Sequence, residues 1–123
     1  MSAEQIDGAE TRHGSATVSI SGSPTQVVRV SGDVDIANAY DIDQRISTAY
    51  LPEVDHVVVD LTATTYLDSA GLAMLVRLCS RLGDSRTKVT VVAPPESAAH
   101  RVIVLSGLSA ELRLRDESGP TLT

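Results

Sequence analysis

Residues 56–82 read HVVVDLTATTYLDSAGLAMLVRLCSRL, and the hydrophobic period changes inside this one string. HVVVDL is a short, nearly continuous apolar run, the pattern of a central strand buried on both faces. From Ser69 onward the spacing is helical: Leu72, Leu75, Val76, Cys79 and Leu82 share a face, and Gly83 supplies a stop. The same switch recurs along the chain. TVSIS puts Val18 and Ile20 on one face, Gly22, Ser23 and Pro24 make a turn, and QVVRVSG is a second strand, so the pair reads as a hairpin.

Ala39, Ile42, Ile46, Ala49 and Tyr50 then fall on one helical stripe that Pro52 ends. KVTVVA is a further strand broken by Pro94 and Pro95. SAAHRVIVLSGL is a third helix with Gly107 past its end, and ELRLRD can close as a short edge strand. The order β-β-α-β-α-β-α predicts an α/β fold, a mixed sheet of about four to five strands covered by helices. With 123 residues it forms one domain at 15–116, between a flexible leader (1–14) and a flexible tail (117–123).

Composition narrows the function. There is no Phe, no Trp and only three Tyr, so Val, Leu, Ile and Ala must fill the core. A net charge of −6 argues against nucleic acid as a partner, because phosphate binding needs a clustered basic face. The polar start MSAEQIDGAETRHGS is not a signal peptide, and the apolar stretches are too short to span a bilayer, so a cytoplasmic protein is expected. Cys79 is the single cysteine and reads as a buried thiol.

Three catalytic arrangements can be weighed on residue content. Asp33 and Asp35 at a strand end resemble the D-x-D of haloacid-dehalogenase-type phosphotransferases, but that chemistry needs a basic residue near the phosphoryl group and further carboxylates for Mg²⁺, and this chain has Lys88 as its only lysine and about half the usual length. A solvated turn that caps the next helix explains the two aspartates better. Asp60 ends a strand as the phosphoacceptor of a receiver domain does, yet the first strand ends in Ser21, Gly22 and Ser23 rather than in an acidic pair. Ser69 in LDSAG lacks the glycine of a nucleophile elbow, and Asp68 would oppose an oxyanion. His56 and His100 read as surface residues, and the scattered histidines have no metal-ligand spacing. No cofactor or metal is expected.

The string Val57 to Val59, Asp60, Leu61, Tyr66, Leu67, Asp68, Ser69, Gly71 and Leu72 resembles the STAS-domain family, specifically the bacterial anti-sigma-factor antagonists. Upstream, Gly32, Asp33, Val34 and Asp35 stand where that family has Gly-Glu-Leu-Asp, and SAAHRVIVLSGLSAELRL looks like its last helix and strand. Asp33 replaces the usual Glu, Ile36 and Ala37 stand where a Thr is often found, Thr64 replaces an apolar residue, and Ala70 occupies a position that is often a second hydroxyl. The resemblance implies a STAS-like fold and a switch. The unmodified antagonist binds an anti-sigma factor that is also a serine kinase of the GHKL type, and so frees the sigma factor. Phosphorylation, here on Ser69, ends the binding, and a serine phosphatase restores it.

Asp33, Asp35, Asp68, Ser69, Ala70, Gly71, Ala73 and Met74 are then the expected docking surface, with Ala70, Ala73 and Met74 on the exposed side of the helix and Gly71 giving the kinase room. A protein of this kind is a switch and a substrate rather than an enzyme. The same fold without the switch, as a scaffold or an accessory subunit of a transport complex with Ser69 only capping its helix, is the alternative.

Overall fold

The computed structural model describes residues 10–116. In chain order the elements are β1 (Glu10–His13), β2 (Ala16–Ser21), β3 (Thr25–Val34), α1 (Ala39–Ala49), β4 (His56–Asp60), β5 (Thr64–Leu67), α2 (Ser69–Asp84), β6 (Lys88–Val92), α3 (Ala98–Ser106) and β7 (Leu114–Arg115). The expected hairpin is β2–β3, antiparallel with Val18 opposite Val30. The sheet is mixed as expected, in the order β1-β2-β3-β4-β6-β7, with β5 paired to β3. β1 and β2 run antiparallel to their neighbours, and β3, β4, β5, β6 and β7 are parallel.

Among the described residues seven strands form, not the expected four or five. Residues 10–13, counted in the expected leader, make edge strand β1 against β2. Residues 1–9 of the expected leader and the tail lie outside the described residues. TTYL, which has no periodicity of its own, is β5: its Thr64 sits beside Gly32 and its Leu67 beside Val34. β4 therefore lines the first half of β3 and β5 the second half, with residues 61–63 stepping out between them.

The core is aliphatic, as the composition requires. Alternate strand residues such as Val18, Val28, Val57 and Val91 point into one cluster with Ile42, Ile46, Leu75, Leu78 and Ile103 of the helices. Val57, Val58 and Val59 are all buried, which fits β4 as the central strand. α1 and α2 are also joined by Arg81, whose Nη2 donates to Asp43 Oδ1 at 2.8 Å and to Ser47 Oγ at 2.7 Å. Buried Gln26 of β3 donates from Nε2 to the carbonyl of Ala49, satisfying a backbone acceptor at the end of α1.

The helix stops differ in detail. Gly107 ends α3 in the left-handed conformation. Gly83 does not stop α2, which continues to Asp84 and is capped by Ser85. Cys79 is half-buried against the core rather than fully enclosed, and burial pushes its thiol up to about 11, so it stays protonated near neutrality. His56 is half-buried too, with Nε2 3.0 Å from Thr90 Oγ1, and burial together with Lys88 lowers its pKa.

Candidate functional site

The parallel register of β3 and β5 builds the site. Asp33 lies beside Tyr66 and Val34 beside Leu67, and the N–H of Asp68 donates to the carbonyl of Val34 at 3.2 Å. The loop after β3 and the start of α2 therefore meet at one end of the sheet. Asp33, Asp35, Asp68 and Ser69 are brought together there by backbone pairing.

Asp68 is the N-cap of α2. Its backbone is extended and its Oδ1 accepts the N–H of Gly71 at 3.0 Å. Ser69 is the first helical residue and is exposed. Of the two residues able to cap, the acid does so, and Ser69 stays outside that bond. Ala73 is exposed as expected, whereas Ala70 is half-buried and packs against the core.

Two expected surface residues are internal. Met74 is 2% exposed and belongs to the core. Gly71 is buried, and a Cβ there would stand 2.6 Å from Leu67 Cδ1 and 2.8 Å from Val34 Cγ1. The glycine makes room for α2 against β3 and β5, not for a partner. The buried stripe consequently runs through Gly71, Leu72, Met74, Leu75, Leu78 and Leu82. It is rotated from the expected face, which included Val76 and Cys79, and that rotation carries Met74 inward.

The aspartates on the β3 side are held by local bonds. Asp33 Oδ1 accepts from Thr65 Oγ1 at 2.6 Å, tying β3 to β5. Asp35 Oδ1 accepts from Ala37 N at 2.9 Å. Its own N–H donates to Asn38 Oδ1 at 3.0 Å, and its carbonyl takes the N–H groups of Asn38 and Ala39. Asp35 thus opens α1 as a turn residue, while Asn38, the residue at the N-cap position, makes no side-chain cap.

Asn38 is 2% exposed and escapes sequence reading as a site residue. Its Nδ2 donates to the carbonyls of His13 and Asp33, both at 2.9 Å, so it clamps β1, the end of β3 and the loop to one another. The signal for it was present only as an Asn three residues after Asp35, directly before a periodic helix. Asp60 serves its own turn: Oδ1 accepts from Thr62 N and Thr62 Oγ1, and Arg29 stands 3.7 Å from Oδ2. Among the described residues no group of three or more His, Cys, Asp or Glu side chains is placed to hold a metal ion, and no helix is long and apolar enough to cross a membrane.

Two large apolar side chains stand open at the same end of the sheet. Ile36, in the loop fixed by Asp35 and Asn38, is 82% exposed, and Tyr66 of β5 is 51% exposed. Tyr40, in the first turn of α1, is exposed as well.

The model of the STAS domain matches residues 17–119. The chain belongs to the STAS-domain family. Among proteins it resembles, the anti-sigma-F factor antagonist RsfB of Mycobacterium tuberculosis is 32% identical over 88 residues, 72% of this chain and 70% of that protein. The crystal structure of an anti-sigma factor antagonist from Mycobacterium paratuberculosis superposes with a TM-score of 0.77 at 32% identity, covering 88% of this chain and 92% of that one. The antagonist SpoIIAA shares the fold at 19% identity. Its unphosphorylated form gives a TM-score of 0.68 over 85% of this chain and 91% of its own. The phosphorylated Bacillus form gives 0.64 over 85% and 95%.

Proposed function

We propose that this STAS domain is an anti-sigma-factor antagonist whose unmodified form binds an anti-sigma factor, and that Ser69 is the phosphoacceptor which switches the binding off. The division of labour at 68–69 carries the reading. Asp68 holds the helix cap, so exposed Ser69 has no structural duty there and its hydroxyl is presented to a partner. Asp68 takes the cap that the scaffold alternative gives to Ser69. Sequence similarity to antagonists from two mycobacteria supports the role.

A phosphate on Ser69 adds about −1.5 to −2 charges beside helix N–H donors, a place where an anion is tolerated. The domain keeps its fold under that change. SpoIIAA, solved in both forms, has a fold similar to this one in each, which agrees with a switch that leaves the backbone in place. The partner reads the charge. Each acidic partner group within ~5 Å costs roughly 1 kcal/mol in water-like surroundings, and several-fold more once desolvated. About 4 kcal/mol turns a nanomolar complex micromolar. Asp33, Asp35 and Asp68 add like charge at the same end of the sheet, so the modified face repels an acidic partner further.

In this reading the partner is a GHKL-type serine kinase that is itself the anti-sigma factor, a serine phosphatase resets the switch, and the exchange takes place in the cytoplasm. The domain acts as switch and substrate, not as catalyst. Intact mass after incubation with candidate anti-sigma kinases and ATP tests it. Wild type gains one phosphate and Ser69→Ala gains none. Equal phosphorylation of the alanine variant, or no gain in wild type with any such kinase, overturns the assignment.

A further inference from the structure

The geometry points to Ile36 and Tyr66 as the two apolar anchors that hold the anti-sigma factor, with phosphorylation of Ser69 acting as an electrostatic veto on a surface whose affinity is apolar. The inference rests on the antagonist reading and adds what supplies the binding energy. The aspartates at the site are poor candidates for that role. Their carboxylates already accept hydrogen bonds from Thr65, Ala37 and Gly71. Exposed charge pairs contribute little net affinity, whereas buried aliphatic and aromatic side chains dominate most interfaces.

A single exposed apolar side chain is ordinary. Ile36 is unusual because its exposure is enforced. The loop is pinned on both sides of it, by Asp35 N to Asn38 Oδ1 and by Ala37 N to Asp35 Oδ1, while Asn38 is itself anchored to β1 and β3. Tyr66 is fixed by the pairing of β5 with β3, one residue after the Thr65–Asp33 bond. Neither backbone segment needs to be ordered on binding, and a backbone preorganised in this way loses little conformational entropy. The surface thus combines two fixed apolar anchors with Asp33, Asp35 and Asp68 around them and Ser69 at the helix start. The occupant is the anti-sigma factor of the proposed function, with an apolar pocket for Ile36 and Tyr66 and acidic groups facing Ser69 that an added phosphate repels.

Leu51 provides the internal control. It is 47% exposed but follows α1, whose last residue Ala49 is held by Gln26 near the beginning of β3, at the opposite end of the sheet. Binding of the kinase found by the mass assay is titrated against wild type, Ile36→Ser, Tyr66→Ser, Leu51→Ser and Ser69→Glu, with circular dichroism confirming the fold of each. Ile36→Ser and Tyr66→Ser each weaken the complex about tenfold or more, and Leu51→Ser changes it less than about twofold. Raising the salt from ~0.1 to ~1 M shrinks the deficit of Ser69→Glu and leaves that of Ile36→Ser in place, because screening acts on charge. Wild type that binds, with Ile36→Ser and Tyr66→Ser binding equally well, overturns the anchors alone. Wild type that binds no anti-sigma kinase overturns the antagonist reading and the anchors with it.

Discussion

At Asp68 one carboxylate decides how the next side chain is used. It takes the N–H of Gly71, which leaves Ser69 outside the capping bond and turned to solvent. Local sequence names Asp68 and Ser69 as possible caps but does not choose between them, since the choice depends on which residue has the first helical dihedrals. Met74 shows the same limit. It reads as exposed on a helical wheel, and only the approach of α2 to β3 at Gly71 turns it inward. The cap makes a direct prediction. Asp68→Ala removes about 1 kcal/mol of stability, a fall of roughly 3–5 °C in Tm for a chain of this size, while Asp68→Asn keeps most of it because an amide oxygen also caps. Ser69→Ala melts with wild type. Thermal unfolding followed by circular dichroism separates the three, and an Asp68→Ala midpoint equal to wild type would mean that the cap contributes nothing.

Among the elements, those with their own periodicity were legible and those made by pairing were not. β2, β3, β4, β6 and the three helices follow from alternation or helical spacing. β1 is a polar edge strand, ETRH, and β5 is four residues whose exposed positions are adjacent rather than alternate. Each exists because a neighbour offers free backbone groups, which no local pattern encodes. β3 is the neighbour that matters, because it carries the site on a kink. The register with β5 shifts between Gly32 and Asp33, and Gly32 adopts φ +89° with the space for its Cβ 2.2 Å from the Ser15 carbonyl oxygen. Only glycine fits there. Gly32→Ala lowers the unfolding free energy by about 2–4 kcal/mol, from the dihedral and the backbone clash together. Gly83→Ala, on α2 where a Cβ meets nothing, raises it by about 0.5–1 kcal/mol. Urea midpoints with unchanged slopes would report both signs. A Gly32→Ala protein as stable as wild type would show that the loop tolerates another geometry.

The whole molecule separates its stability from its recognition surface. Stability comes from the aliphatic cluster between sheet and helices, in which no Phe or Trp takes part because the chain has none. In the proposed function, recognition falls to side chains at one end of the sheet, on segments fastened by Asn38, by the Thr65–Asp33 bond and by the Asp68 cap. That partition was visible in advance for the core, whose hydrophobic periods are long. For Ser69 and the three aspartates it is what the family resemblance implies. Ile36, Tyr66 and Asn38 carry no local signal, because their placement depends on which strand ends meet. The partition predicts that damage to the core and damage to the surface show up in different measurements. Leu75 lies on α2 six residues beyond Ser69 and is 1% exposed. Leu75→Ala costs about 2–5 kcal/mol by cavity formation and lost burial, at least roughly 6 °C in Tm. Well below its midpoint the protein is still folded, so its affinity for the anti-sigma factor stays within about twofold of wild type. Ser69→Glu shows the reverse, an unchanged midpoint with binding lost. Calorimetric unfolding beside a binding titration of both variants tests the separation, and a Leu75→Ala protein that is folded yet fails to bind would tie the surface to the packing beneath α2.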